Sequence, residues 1–233
     1  MKRCCPALCL FVFLSVATSA SAHYPWFVIV SKGGKQGTLR LYFEEGPRPG
    51  PGEFLDPFFK GKCWLRTPSG ESQIIRLNDE KQGKQRWASA NVDTPKPRAV
   101  ECFAKWGVYK GKLLFYYAKL IDVETTNDLV KIGQAQNLAF DLVPRMKDNM
   151  VEVAVLWKGK PKAGVPVTVA GPGFRRTRLT ANDQGIVRFE PAGKGLYTVM
   201  SMFIEPDPAG EDDGKKYQGL RQTATLTINL PVK

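Results

Sequence analysis

The chain has 233 residues, of which 43% are hydrophobic and 24% are charged, so it has enough apolar material to build a folded core. Its formal net charge of +12 favours anionic surroundings such as lipid headgroups, acidic glycans or nucleic acid. The basic residues are scattered, however, and no aromatic-rich recognition strand accompanies them, which argues against nucleic-acid binding.

The first 22 residues have the pattern of a secretory signal peptide. A basic start at Met1–Arg3 is followed by the apolar run Leu8–Leu14 and by the small-residue cleavage site Ala20–Ala22. The apolar run is too short to span a bilayer, and no later stretch is long and apolar enough to do so. The sequence therefore predicts a soluble periplasmic or secreted protein with no transmembrane segment after cleavage.

His23 is the only histidine in the chain, and cleavage after Ala22 makes it the first residue of the mature protein. Its free amine and imidazole Nδ1 then form a compact chelate that suits Cu²⁺ or Ni²⁺. Cleavage after Ala20 instead makes His23 the third residue of the mature protein. The terminal amine, two backbone amides and the imidazole can then coordinate a square-planar metal. The alternative is that a histidine beside a cleavage site is an accident of processing on a frayed terminus.

The N-terminal half reads as a series of strands separated by Gly, Pro, Asn and Asp turns. The stretch from Glu44 to Gly52 is predicted to be a Pro/Gly loop outside the core. Four carboxylates lie in or near this loop and are either solvated or available as a metal ligand: Glu44, Glu45, Glu53 and Asp56. The predicted strands are Tyr24–Ser31, Thr38–Phe43, Cys63–Arg66, Gln73–Leu77, Arg86–Val92, Val100–Trp106, Leu113–Ile121 and Leu138–Pro144.

Two cysteines, Cys63 and Cys102, remain once the three in the leader are removed. In an oxidising compartment they are expected to form a disulfide. A free pair or a thiolate metal site is the alternative, although two cysteines this far apart lack the spacing of metal ligands.

The C-terminal part from Val151 to Val199 shows short strands with turn signals between them, as in a β-sandwich. Its segments "GKPKAGVPVTV" and "TANDQGIVRFEPAGKGLYTV" resemble immunoglobulin-like modules of the carboxypeptidase-regulatory and Cna B type. The resemblance implies a prealbumin-like fold and no particular chemistry. We therefore predict an all-β protein in which the signal peptide, residues 1–22, precedes two β-sandwich domains, residues 23–145 and residues 146–233.

An acidic segment, Glu205–Gly214, stands out in this basic protein. We expect it to form an exposed hairpin loop between Phe203 and a last strand, Gln222–Leu230. Its spacing does not match a calcium-binding loop, but it can supply oxygen ligands to a metal at His23 if the two domains fold back on each other. The candidate oxygen ligands are Glu205, Asp207, Glu211, Asp212 and Asp213.

Several stretches of the mature chain are similar to the secreted family grouped with the substrate-specific component of nickel uptake, the NikM-like proteins. These are "Ala-His" at the cleavage point, "YPWFVIV", "LRLYFEEGPRPGPGEFLD", "LVPRMKDNMVEVAVLWKGKPKAGVPVTV" and "DGKKYQGLRQTATLTINL". The resemblance implies handling of a Ni, Co or Cu ion with His23 as ligand, and a metal-uptake permease as partner. Many relatives carry a histidine before the last strand, where this chain has Arg221–Leu226, and permease-linked members carry a C-terminal transmembrane segment that is absent here.

Enzyme chemistry is disfavoured, because acid/base and nucleophilic mechanisms usually need an imidazole and the only one lies at the mature terminus. No glycine-rich phosphate loop is present either. Two function classes remain. The first is a metal-binding protein that uses His23. The second is a non-catalytic structural or adhesive protein that binds a cell-envelope polymer through its basic surface.

Overall fold

The structure is a computed structural model that describes residues 23–31, 37–172 and 174–230. The predicted signal peptide lies outside these residues. Most of these residues lie in strands, and no helix among them has both the length and the apolarity needed to cross a bilayer.

The described residues contain sixteen strands and two short helices. The strands of the first half are β1 (Tyr24–Ser31), β2 (Gly37–Glu44), β3 (Lys62–Arg66), β4 (Ser72–Ile75), β5 (Asn78–Gln82), β6 (Gln85–Val92), β7 (Arg98–Tyr109) and β8 (Lys112–Asp122). Those of the second half are β9 (Phe140–Lys147), β10 (Met150–Trp157), β11 (Lys160–Pro161), β12 (Pro166–Gly171), β13 (Phe174–Thr180), β14 (Ile186–Phe189), β15 (Gly195–Asp212) and β16 (Lys215–Leu230). The helices are α1 (Asp56–Phe59) and α2 (Asp128–Ile132).

These strands build three sheets, which confirms the predicted all-β sandwich fold. The largest has eight strands in the order β13-β12-β15-β16-β8-β7-β3-β4. A four-stranded sheet has the order β1-β2-β6-β5, and another joins β11, β10 and β14, with β9 also pairing with β10. The protein has two hydrophobic cores. One contains residues of β1, β2 and β6, and the other contains residues of β9, β10 and β14.

Strand β8 contributes to both cores, because its side chains alternate between the two faces of the large sheet. Leu114, Tyr116, Ala118 and Leu120 pack into the core of β1, β2 and β6. Tyr117 and Ile121 pack into the core that contains β9 and β10. Burial on both faces explains why the sequence is so continuously apolar here.

The large sheet crosses the predicted division between residues 145 and 146. Strand β16 pairs in parallel with β8, from Leu220 opposite Leu113 to Asn229 opposite Asp122. The division itself falls inside β9, which forms an antiparallel hairpin with β10. The two predicted segments therefore share hydrogen-bonded strands.

The predicted disulfide between Cys63 and Cys102 is present. The two residues are direct cross-strand partners on β3 and β7. Both are buried in the core under β1 and β2, so the disulfide cross-links two neighbouring strands of the large sheet inside the core.

The acidic segment is not the loop that the sequence suggests. Strands β15 and β16 continue through it and turn only at Asp213 and Gly214. Glu211 lies opposite Lys216 and Asp212 opposite Lys215, and such opposite charges favour cross-strand pairing. A register shift between Glu205 and Ala209 accommodates the prolines that made the segment look like a loop.

Candidate metal site and aromatic pocket

His23 immediately precedes β1, and its side chain lies beside the end of β2. The imidazole Nε2 is 3.5 Å from Oε2 of Glu44, and the two side chains are 26% and 12% exposed. The imidazole also stacks on Phe43, with ring centroids 6.1 Å apart. This arrangement follows from the register of the two strands, in which Tyr24 lies opposite Glu44.

Glu44 is held from the other side by the Pro/Gly loop. Its Oε1 accepts a hydrogen bond from the backbone N–H of Gly52 at 3.2 Å. A Cβ atom at Gly50 would overlap the Glu44 carboxyl group, so only glycine lets the backbone approach this closely. The loop therefore fixes one carboxylate oxygen and leaves the other facing His23.

Strand β1 is fixed to the rest of the molecule by both backbone and side-chain bonds. Thr225 on β16 donates to the carbonyl oxygen of Pro25 at 2.6 Å, and the indole N–H of Trp26 donates to the carbonyl oxygen of Glu44 at 3.1 Å. Phe27 is fully buried. His23 is thus attached to an ordered strand rather than to a frayed end.

A cavity of about 310 Å³ opens next to His23. Six aromatic side chains line it, and we call it the aromatic pocket: Tyr24, Phe43, Phe54, Trp106, Tyr109 and Tyr116. His23, Leu114, Lys110 and Arg221 complete the lining. The pocket is thus apolar and aromatic over most of its wall, with two cationic side chains among its lining residues.

Arg221 and Tyr116 form a polar pair within this wall. An Nη2–H of Arg221 donates to the Tyr116 hydroxyl oxygen at 2.9 Å, while the buried Arg221 Nε has no hydrogen-bond partner among the described residues. Burial raises the pKa of Tyr116, and the nearby guanidinium only partly offsets the effect. The phenol is therefore protonated at neutral pH and can donate a hydrogen bond.

The predicted oxygen ligands of the acidic segment lie on the β15–β16 hairpin, outside the aromatic pocket. Glu205 accepts a hydrogen bond from Gln222 at 2.7 Å, and Asp212 forms an ion pair with Lys105. Asp207, Glu211 and Asp213 are exposed. Nowhere in residues 23–31, 37–172 and 174–230 do three or more His, Cys, Asp or Glu side chains gather as metal ligands.

The sequence pattern indicates His23 and includes Glu44 among four candidate carboxylates, but no pattern in the sequence indicates the aromatic pocket. The lining residues are spread from Tyr24 to Arg221 and belong to different strands and loops. No local pattern connects them, because β7, β8 and β16 are brought together by the order of the large sheet and β1 by the packing of the first small sheet against it.

No protein-family model and no curated protein matches the chain. Among solved structures, a pullulanase from Anoxybacillus sp. LM18-11 is 14% identical over 75% of this chain and 24% of its own, with a TM-score of 0.21. The same enzyme complexed with maltotriose is 13% identical over the same shares, with a TM-score of 0.20. The FN1–FN3 domains of chicken CNTN1 are 10% identical over 90% of this chain and 66% of theirs, with a TM-score of 0.21. The chain thus spans about a quarter of the pullulanase, and likenesses this distant carry no argument about function.

Proposed function

We propose that this chain is an exported, non-catalytic protein that binds Ni²⁺, Co²⁺ or Cu²⁺ through the processed N-terminal residue His23. One observation carries the proposal: the His23 imidazole lies 3.5 Å from the Glu44 carboxylate, at the start of a strand that is paired along its length. A fixed imidazole loses little freedom on binding, which is what a selective site needs.

The two residues have complementary roles in this proposal. When cleavage follows Ala22, the terminal amine and Nδ1 of His23 provide a chelate for the metal. The remaining ring nitrogen, Nε2, then donates its hydrogen to Glu44. A carboxylate in this position orients a metal-bound imidazole and raises its basicity. Glu44 also brings negative charge next to a cation in an otherwise basic protein.

Cleavage after Ala20 leads to a different donor set, with the amine, two backbone amides and the imidazole as ligands. Both versions depend on His23. The resemblance to NikM-like proteins suggests delivery of the metal to an uptake permease as the biological role.

The test is expression of the full chain with its leader, determination of the mature mass, and calorimetric titration with CuCl₂ and NiCl₂. We expect one metal per chain and loss of binding in His23→Ala. Glu44→Gln should weaken binding by about 10–100-fold, the usual cost of removing a carboxylate that orients a ligand. Glu53→Gln makes the same charge change at an exposed position nearby and should leave the affinity unchanged.

Binding that survives His23→Ala, or a mature protein that begins after His23, overturns the proposal. The structural or adhesive envelope role then remains.

A further inference from the structure

The rim of the aromatic pocket exposes large aromatic side chains to solvent. Phe54 is 56% and Tyr109 is 47% exposed, although both are large and hydrophobic. Trp106 lies between them and meets both rings edge-on. Its ring centroid is 5.8 Å from that of Phe54 and 6.2 Å from that of Tyr109. A cluster of exposed rings beside a cavity is typical of a ligand site rather than of an inert surface.

Phe54 is held in a conformation that a bulky residue rarely adopts. Its φ angle is +67°, in the left-handed region. The Trp106 indole N–H donates to the Phe54 carbonyl oxygen at 3.1 Å and so fixes the strained residue against the pocket wall. Strained residues of this kind concentrate at sites that hold ligands.

The charge in the pocket is positive. Arg221 has its unpartnered Nε, and the Lys110 ammonium lies 5.4 Å from the centre of the Tyr109 ring. Among the described residues no carboxylate lines the cavity, since Glu44 contacts His23 from outside it. An apolar cavity with an uncompensated guanidinium is complementary to a ligand that carries an anionic group.

We propose that the aromatic pocket binds a small aromatic carboxylate. The ring packs against Trp106 and Phe54, and the carboxylate accepts hydrogen bonds from the Arg221 guanidinium group and from the Tyr116 hydroxyl. The Tyr116 oxygen already accepts a bond from Arg221, so its own hydrogen is left to be donated to the ligand. A cavity of about 310 Å³ suits a ligand of one or two rings. This binding needs no metal, so it can be tested separately from the role proposed for His23, which also lines the pocket.

The experiment is calorimetric titration of the mature protein with benzoate in the presence of EDTA. Benzyl alcohol keeps the ring without the charge, and acetate keeps the charge without the ring. Both should bind at least ~10-fold more weakly than benzoate, because each lacks one of the two recognised groups. Glucuronate, which carries its carboxylate on a sugar, distinguishes an acidic saccharide from an aromatic acid.

Arg221→Gln should lower benzoate affinity by ~10–100-fold, the range expected for lost hydrogen bonds to a charged group. Arg178→Gln, on the exposed part of β13, is the matched control and should have no effect. Trp106→Leu should weaken benzoate and benzyl alcohol alike, and thermal unfolding checks that each variant is folded. The proposal is overturned if benzyl alcohol binds as well as benzoate, if glucuronate binds more tightly, or if a folded Arg221→Gln variant binds like the wild type.

Discussion

At the scale of single residues, buried charges in this protein are matched by specific partners. Glu152 on β10 is almost fully buried, and each of its carboxylate oxygens accepts a hydrogen bond at 2.6 Å, one from Arg145 and one from Arg188. Burial opposes ionisation of this group, but the two guanidinium groups outweigh it and hold the pKa of Glu152 below its ordinary value of 4.5.

This lowered pKa predicts how stability depends on pH. Because the folded state favours the ionised form of Glu152, its contribution is fully present above the unfolded pKa of about 4.5 and is lost as the pH falls through the lower folded value. Urea unfolding at pH 7 and at stepwise lower pH should therefore show a smaller loss of stability for Glu152→Gln than for the wild type. Glu190→Gln, an exposed control, should follow the wild-type pH dependence.

At the scale of elements, a buried polar network secures the segment after α2. Lys119 on β8 donates to the Gly133 carbonyl oxygen at 2.6 Å and pairs with Asp141 on β9. Arg66 on β3 pairs with Glu101 on β7 at 2.8 Å and also donates to the carbonyl oxygens of residues 132 and 134. Charges from four strands thus hold a stretch that has little apolar surface of its own.

Removing one member of this network should be costly. Lys119→Met leaves the Asp141 carboxylate buried without its cation, so we expect a loss of about 3–5 kcal/mol in the free energy of unfolding. Urea denaturation measures this loss. Lys131→Met removes an ammonium group from a side chain that is 61% exposed, and it should change stability by less than ~0.5 kcal/mol. A Lys119→Met variant as stable as this control would contradict the prediction.

Most of the strands, but not all of the fold, could be predicted from the sequence. Alternation and turn residues were enough to predict most strands, and the cysteine count was enough to predict the Cys63–Cys102 bond. The acidic segment was predicted wrongly, because its prolines and glycines resemble a loop while the cross-strand lysines that keep it extended lie further along the chain. The sequence does not distinguish Glu44 from the neighbouring carboxylates, because only the register of β1 and β2 places it beside His23.

At the scale of the whole molecule, the large sheet is continuous across the predicted domains. The parallel pairing of β8 with β16 joins residues more than a hundred positions apart, and no local pattern specifies such a partner. Both strands contribute buried residues to the same core, including Ile121 and Ile228. The two halves of the sequence therefore stabilise each other.

Expression of residues 23–145 and 146–233 as separate polypeptides tests this mutual dependence. Each half keeps only four of the eight strands of the large sheet, and β9 is cut within its hairpin with β10. We expect neither half to unfold cooperatively, whereas residues 23–233 should show one transition by circular dichroism. Two independently folded halves would contradict this expectation.

The disulfide also acts on the whole chain, because it restricts the unfolded state. Cys63 and Cys102 are 39 positions apart, which corresponds to ~3–4 kcal/mol on the loop-entropy estimate. The double variant Cys63→Ala and Cys102→Ala should lose about this much stability in urea. Adding a reductant to the unfolding experiment should affect the wild type and leave the double variant unchanged.

The position of β16 has a consequence for the order in which the protein forms. It follows all other described strands in the chain, yet it lies between β15 and β8 in the interior of the largest sheet. During synthesis β8 must wait for a neighbour that is made roughly a hundred residues later, so the large sheet cannot be completed until almost the whole chain has been made.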